Sequence, residues 1–245
     1  MFLWRGQGLS SLSPIFIMEK NICIVHFNTP TLTRATIRSI WKNTPDCKIT
    51  VFDNSDKHPF GEMKGVNVID NTFGQIINFE QFLRNYPNKM HTYNNWGSAK
   101  HTYTIDYLFN LFHDGFVLAD SDILVKQDIS DFFDESAIFS GKIYSNPATK
   151  TRFIPRLLPF LCWINVPMCR EAGVRYFDGK RSWKLYSTIY KMWYDTGASF
   201  LEDALATGKP YKEIDIDNYM IHLGSGSWGK KDHKAWLEEN KELYG

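Results

Sequence analysis

A short apolar run that stops on two carboxylates constrains this chain more than any other feature. Gly115-Phe116-Val117-Leu118-Ala119 is β-prone and uninterrupted, and Asp120-Ser121-Asp122 follows at once. A run of this length without polar alternation predicts a strand buried on both faces, ending where the acids begin. Two earlier runs stop in the same way, Lys48–Phe52 on Asp53-Asn54-Ser55-Asp56 and Val66–Ile69 on Asp70-Asn71. In open α/β sheets, ligands bind in the crevice beyond the carboxyl ends of the strands. Two acids at such a place are costly to leave unpaired, so a hard divalent cation is their natural partner, and phosphates often come with it. Taken alone, an Asp-x-Asp triplet is also an ordinary turn after a strand.

The elements around the triplet predict an α/β fold. Ile22–Phe27 reads as a first buried strand, and Asn28-Thr29-Pro30 turns the chain. Thr31 then caps a helix to about Asn43, with Leu32, Ala35, Ile40 and Trp41 on its inner face. Phe79–Asn85 reads as a short helix, and Ser98–Phe112 as a longer one capped by Ser98. The order β-α-β-β-α-β predicts one α/β domain, a mixed but mostly parallel sheet wound with helices on both faces. In the second half, Ala137–Ser145, Cys162–Val166, Tyr211–Asp215 and Tyr219–Leu223 read as strands. Lys150–Pro159 reads as a loop, Asp195 as the cap of a helix running to Thr207 with Gly208 as its stop, and Asp232–Tyr244 as a terminal helix.

The chain has 245 residues, enough for one sizeable domain, and its net charge of +1 argues against broad binding to nucleic acid. Cys23, Cys47, Cys162 and Cys169 form no Cys-x-x-Cys pair. Zinc and thioredoxin-type chemistry are therefore disfavoured, and a reduced, cytoplasmic setting is expected. Residues 1–17 lack the design of a signal peptide, and Met18 stands directly before the first strand. The expectation is a disordered extension at 1–17, with translation starting at Met18 and the domain running over 18–245. A membrane-contacting arm using Phe2, Leu3, Trp4, Ile15 and Phe16 is the competing expectation.

The strand ending at His26-Phe27-Asn28-Thr29-Pro30, the strand ending at Val51-Phe52-Asp53-Asn54-Ser55, the Gly97–Tyr107 helix and the strand into Asp120-Ser121-Asp122 follow one another in a known order. This order resembles the nucleotide-binding half of family 2 glycosyltransferases of the GT-A fold. The resemblance runs from Asn21 to Val125 and is diffuse beyond. It implies a nucleotide-binding half at 18–125 and an acceptor-side half at 126–245. Asn28 and Thr29 would lie beside the base and ribose of a nucleotide-sugar donor, with a UDP-sugar favoured, and Asp53 would recognise the base or ribose. Asp53 alone reads equally as a turn residue capping Asn54-Ser55. Lys100 and His101 would contact the diphosphate or base from the first turn of their helix, where phosphate is favoured, or else stand as surface residues.

The resemblance also implies that Asp122 is the direct metal ligand, that Asp120 binds the metal more loosely or the ribose, and that Ser121 helps bind the donor. His222, leaving a strand before Gly224-Ser225-Gly226-Ser227, would return to the metal, although a lone histidine in an apolar strand is more often a core residue. Oxygen ligands suit Mg²⁺ or Mn²⁺, and an imidazole tips the choice to Mn²⁺. Lys230 and Lys231 would reach the leaving diphosphate. The reaction implied is inverting transfer of a sugar to a hydroxyl of a glycan or lipid-linked acceptor, in surface polysaccharide or glycoconjugate synthesis. A carboxylate takes the acceptor's proton. The expected base is Asp195, with Asp203 of the Glu202-Asp203 pair in reserve.

The acceptor side is less legible. Phe160, Trp163, Trp183, Tyr186, Trp193 and Tyr194 line a sugar platform or fill the core. Arg152–Phe160 mixes basic and apolar residues, which reads as a buried loop with two surface arginines or as a peripheral contact at an inner membrane face. Two other functions compete. A haloacid-dehalogenase-type phosphatase also uses Asp-x-Asp with Mg²⁺, but it normally carries the triplet after its first core strand and Thr or Val where this chain has Leu124. A nucleotide-sugar-binding module without turnover is the other.

Overall fold

The computed structural model describes residues 19–81, 96–145, 154–181, 185–187, 192–224 and 232–245. The segment 1–17, Met18, Arg152, Phe153, Trp183, Lys230 and Lys231 lie outside the described residues, as do the side chains of Tyr186 and Trp193.

The strands run β1 Lys20–His26, β2 Cys47–Asp53, β3 Val66–Asp70, β4 Gly115–Asp120, β5 Ile123–Val125, β6 Phe139–Tyr144, β7 Arg156–Asn165, β8 Leu185–Ser187, β9 Met192–Trp193, β10 Lys212–Glu213 and β11 Met220–His222. The helices are α1 Pro30–Asn43, α2 Trp96–Leu111, α3 Val166–Glu171, α4 Ala198–Ala206 and α5 His233–Glu239. A further helix opens at Phe79, at the edge of the described residues. Seven strands form the main sheet in the order β10-β6-β7-β4-β1-β2-β3. Parallel pairing joins β1 to β2 and β4, β2 to β3, and β10 to β6, while β7 runs antiparallel to both β4 and β6. The sheet is therefore mixed and mostly parallel, as expected.

Alternation along the strands builds a core on each face. Cys23, Val25, Phe116 and Leu118 face Ile105, Leu108 and Phe109 of α2 and Phe200 and Leu201 of α4. Ile22, Ile24, Val117 and Ala119 face the other way, onto Ile37 and Ile40 of α1. Both faces of β1 and β4 are thus covered, which is why these strands read as unbroken apolar runs. Gly115 starts β4 because a side chain is impossible there: a Cβ would lie 2.3 Å from the ring of the buried Trp163.

Several expected boundaries move. Thr31 and Ser98 lie inside their helices: α1 opens after Thr29 with Pro30 in its first turn, and α2 starts at Trp96, which puts Lys100 and His101 in its second turn. Asp195 is not a cap. Gly197 holds the N-cap position of α4 with φ +82°, in the left-handed region that glycine tolerates. The expected loop at 150–159 is in part strand, because β7 begins at Arg156. Pro159 is tolerated where the β6–β7 register shifts, between the Gly141–Cys162 and Ile143–Leu157 pairs. Leu157 and Leu158 are buried, so these two residues pack into the domain. Among the described residues no helix is long and apolar enough to cross a membrane.

Candidate metal and donor site

The parallel strands β1, β2 and β4 end together. Val25 is level with Asp120, and His26 with Asp53. The triplet at the end of β4 is anchored from below by a polar stripe on α1. Thr36 Oγ1 donates towards the carbonyls of Ser121 (3.1 Å) and Ile123 (2.7 Å). Ser39 Oγ accepts from Val125 N at 2.9 Å, and Asn43 Nδ2 donates to Val125 O at 3.1 Å. These polar groups satisfy backbone that leaves the sheet while still buried.

His222 arrives from the other end of the sequence by strand pairing. β11 lies antiparallel to β5, with His222 opposite Ile123, and Leu223 N donates to Asp122 O at 3.0 Å. The ring lies against Phe160 with centroids 4.2 Å apart and the planes tilted by 36°. Its Nε2 lies 3.0 Å from Asp122 Oδ1 and 3.8 Å from Asp120 Oδ2. One donor atom from each of Asp120, Asp122 and His222 falls within 4.8 Å of the others. Two oxygens and one imidazole nitrogen at this spacing suit a divalent ion such as Mn²⁺ or Mg²⁺. Burial and the neighbouring Asp122 charge push the Asp120 carboxyl up to about 7, against a smaller opposing pull from His222. That crowding of negative charge is what a cation relieves.

His101 stands beside this cluster. Burial pushes its imidazole down to about 4, and Asp122 is the charge that partly offsets this. Its Nε2 is buried with no hydrogen-bond partner among the described residues, and so is Thr29 Oγ1 at the end of β1. Lys100 lies over the rings of Phe27 and Phe79, at 5.0 and 5.5 Å from their centroids.

Asn28 and Asp53 are occupied with their own loops. Asn28 has φ +56°, a conformation Asn tolerates better than most residues. Its Oδ1 accepts from the backbone of Asp56, Lys57 and His58 at 3.2, 2.9 and 3.0 Å. Asp53 is buried and accepts from Ser55 N (2.9 Å) and Phe60 N (2.7 Å), the turn-capping alternative of the sequence. Both residues shape the wall beside the ends of β1 and β2.

The two expected bases are ion-paired. Asp195 meets Arg156 Nη1 through Oδ2 and accepts from Thr196 N through Oδ1 at 2.8 Å. Asp203 takes Arg181 Nη1 and Nη2 at 3.0 and 2.5 Å, in a group that also contains Asp178 and Glu202. Of the aromatic residues proposed for a platform, Phe160 reaches the site through His222, whereas Trp163 and Tyr194 are buried. Sequence reasoning missed Arg156 as the partner of Asp195 and the Thr36-Ser39-Asn43 stripe. The stripe's i, i+3, i+7 spacing on a helix next to the first strand was the available signal.

Among protein families and among curated proteins, nothing matches the chain. Solved structures similar to it include the galactosyltransferase LgtC in complex with donor and acceptor sugar analogues, at 14% identity over 80% of this chain and 73% of that one, with a TM-score of 0.49. The glycosyltransferase GlyE of Streptococcus pneumoniae TIGR4 is 12% identical over 82% of this chain and 46% of its own, with a TM-score of 0.48. Mouse xyloside xylosyltransferase 1 is 10% identical over 82% of this chain and 86% of its own, with a TM-score of 0.47. Likeness at this level carries no chemistry across, and the functional reading rests on the site itself.

Proposed function

We propose that this protein is a metal-dependent glycosyltransferase of the GT-A type that moves a sugar from a nucleoside-diphosphate sugar to a hydroxyl acceptor. The observation that carries the reading is the convergence of Asp120, Asp122 and His222 beyond the carboxyl end of β4. Asp122 and His222 also make a hydrogen-bonded pair at 3.0 Å, and the neighbouring Asp120 adds the second carboxylate that a cation would need. A cation bound there, with Mn²⁺ favoured by the imidazole, supplies positive charge beside a leaving diphosphate.

The chain's own groups supply the rest. His101 Nε2 and Thr29 Oγ1, both buried without partners among the described residues, are donors or acceptors waiting for a polar ligand. Lys100 offers a cation to the diphosphate, while Asn28 and Asp53 hold the loop against which the base rests. Ser121 contributes through its place between the two acids, and Lys230 would reach the diphosphate from the segment after β11. A UDP-sugar is the favoured donor, and a glycan or lipid-linked hydroxyl the acceptor. The acceptor oxygen bonds to the anomeric carbon as the bond to the diphosphate oxygen breaks, and the proton passes from that hydroxyl to Asp195, once Asp195 parts from Arg156. In-line displacement inverts the carbon. The phosphatase alternative is not favoured, because the triplet ends the fourth strand of the chain and not the first.

Thermal shift with UDP, GDP and CDP, each with and without Mn²⁺, tests the reading on wild type and Asp122→Ala. Stabilisation by a nucleoside diphosphate that needs the metal and vanishes in the variant is expected. Metal binding without any nucleotide effect would overturn it.

A further inference from the structure

A second cleft lies away from the acidic cluster, between α2 and the segment that follows β3. This open cleft has a volume of about 430 Å³. Three strand spacings, about 14 Å, separate β3 from β4 along the sheet. Tyr103, Asp106, Tyr107 and Asn110 line it from the helix, and Asn78 and Gln81 from the other side. The four helix positions are i, i+3, i+4 and i+7, one continuous face. The opposite face of the same helix carries Ile105, Leu108 and Phe109 into the core. α2 therefore turns a stripe of hydrogen-bonding side chains, two of them aromatic, into an open cleft.

The walls are held in place. Asn71 Oδ1 accepts from Ile76 N and Ile77 N at 3.0 and 2.9 Å, and its Nδ2 donates to Asn54 Oδ1 at 2.9 Å. Tyr103 meets Phe177 edge to face at 5.7 Å, and Tyr107 meets Phe52 at 5.4 Å. Asp106 is 8% exposed and has no ion-pair partner among the described residues. Its Oδ1 accepts from Phe177 N at 3.2 Å, while Oδ2 has only a long contact of 3.5 Å with Asn110 Nδ2. A carboxylate oxygen accepts more than this, and burying one under-bonded is costly. Burial raises the Asp106 pKa, against smaller lowering pulls from the Phe177 amide and the Arg175 charge.

We infer that this cleft binds a neutral saccharide unit, with ring hydroxyls donating to Asp106 and exchanging hydrogen bonds with Asn110 and Gln81, and the tyrosines covering the apolar face of the sugar. Among the described residues the lining offers one carboxylate and no lysine or arginine, with Arg175 a charge acting on Asp106 from outside it, which favours a neutral ligand over an anion or a metal. The inference stands apart from the proposed transferase reaction, since no residue is shared with the Asp120 cluster.

Saturation-transfer difference NMR with the methyl glycosides of glucose, galactose and N-acetylglucosamine tests it, with tetramethylammonium as the cationic control. Saturable transfer to at least one glycoside is expected. It should weaken about tenfold in Asn110→Ala and in Tyr103→Ala and persist in Asp122→Ala. Asn110 is exposed, so its variant probes the cleft without risk to the core. Transfer to no glycoside, transfer that survives both cleft substitutions, or transfer to tetramethylammonium alone would overturn the inference. Survival of glycoside binding in Asp122→Ala separates its fate from that of the donor site.

Discussion

Arg156 holds Asp195 through a direct guanidinium–carboxylate contact, with the two side chains 18% and 21% exposed. The loop that carries Asp195 is fixed on two more sides. Thr102 Oγ1 of α2 donates to Thr196 Oγ1 at 2.9 Å, and Gly197 lies so close to β7 that a Cβ would stand 2.3 Å from Leu157 O. The proposed base therefore sits in a corner formed by β7, α2 and the turn before α4. Asp195→Asn should leave metal-dependent nucleotide binding intact and lower transfer about 10²–10⁴-fold. Single-turnover transfer and calorimetric binding, measured on the same preparation, separate the two effects.

Gly197→Ala should disturb the same corner from the backbone side. The residue needs both φ +82° and the absence of a Cβ. A loss of about 1–3 kcal/mol is expected in urea unfolding, together with weaker transfer and unchanged metal affinity. Full stability in the variant would show that the loop is looser than its contacts indicate.

His222→Ala should weaken Mn²⁺ more than Mg²⁺, because it removes the only nitrogen from the Asp120-Asp122-His222 set. Asp122→Ala should abolish binding of both ions. Isothermal titration of each variant with each ion is the check, and equal losses for Mn²⁺ and Mg²⁺ in His222→Ala would remove the imidazole from the ligand set.

Thr36→Val keeps the shape of the side chain and deletes the hydroxyl that serves the carbonyls of Ser121 and Ile123. Leaving these buried groups short of a donor should cost about 1–3 kcal/mol. Because the triplet hangs on these carbonyls, Mn²⁺ affinity should fall as well, although Thr36 touches no ligand atom.

Asp106 gives a pH signature. Burial raises its pKa above the unfolded value, so between the two the native state keeps a proton that the unfolded chain has lost. Its contribution to stability is therefore most favourable below about pH 4, falls as pH rises through that window, and levels off above the folded pKa. Asp106→Asn should remove this slope. Unfolding free energies of wild type and variant across pH 3 to 8, taken as a difference, isolate it from other carboxyls.

Much of the first half of the domain could be read from residues alone, because β1, β2 and β4 are buried on both faces and must be apolar throughout. The pairing of Asp122 with His222 was legible through the family resemblance and not from local chemistry, since a lone histidine in an apolar strand is more often a core residue. The second half resisted. α3 has only six residues, too few to show a helical period. Pro159 hid the first half of β7, since a proline argues against a strand unless the register shifts beside it. Asp195 looked like a cap because nothing local reveals that its partner is Arg156, 39 residues earlier. Asp53 could be read either way, and only the amides of Ser55 and Phe60 decide its engagement.

The ligand set of the metal site also dates the site within the life of the chain. Asp122 and His222 are 100 residues apart and meet only through the antiparallel pairing of β11 with β5. A chain emerging from the ribosome completes β1, β2 and β4 long before β11 exists, and until then it offers two carboxylates and no third ligand. A cation held by all three residues would therefore bind only after β11 has docked on β5, and its binding would report a finished topology.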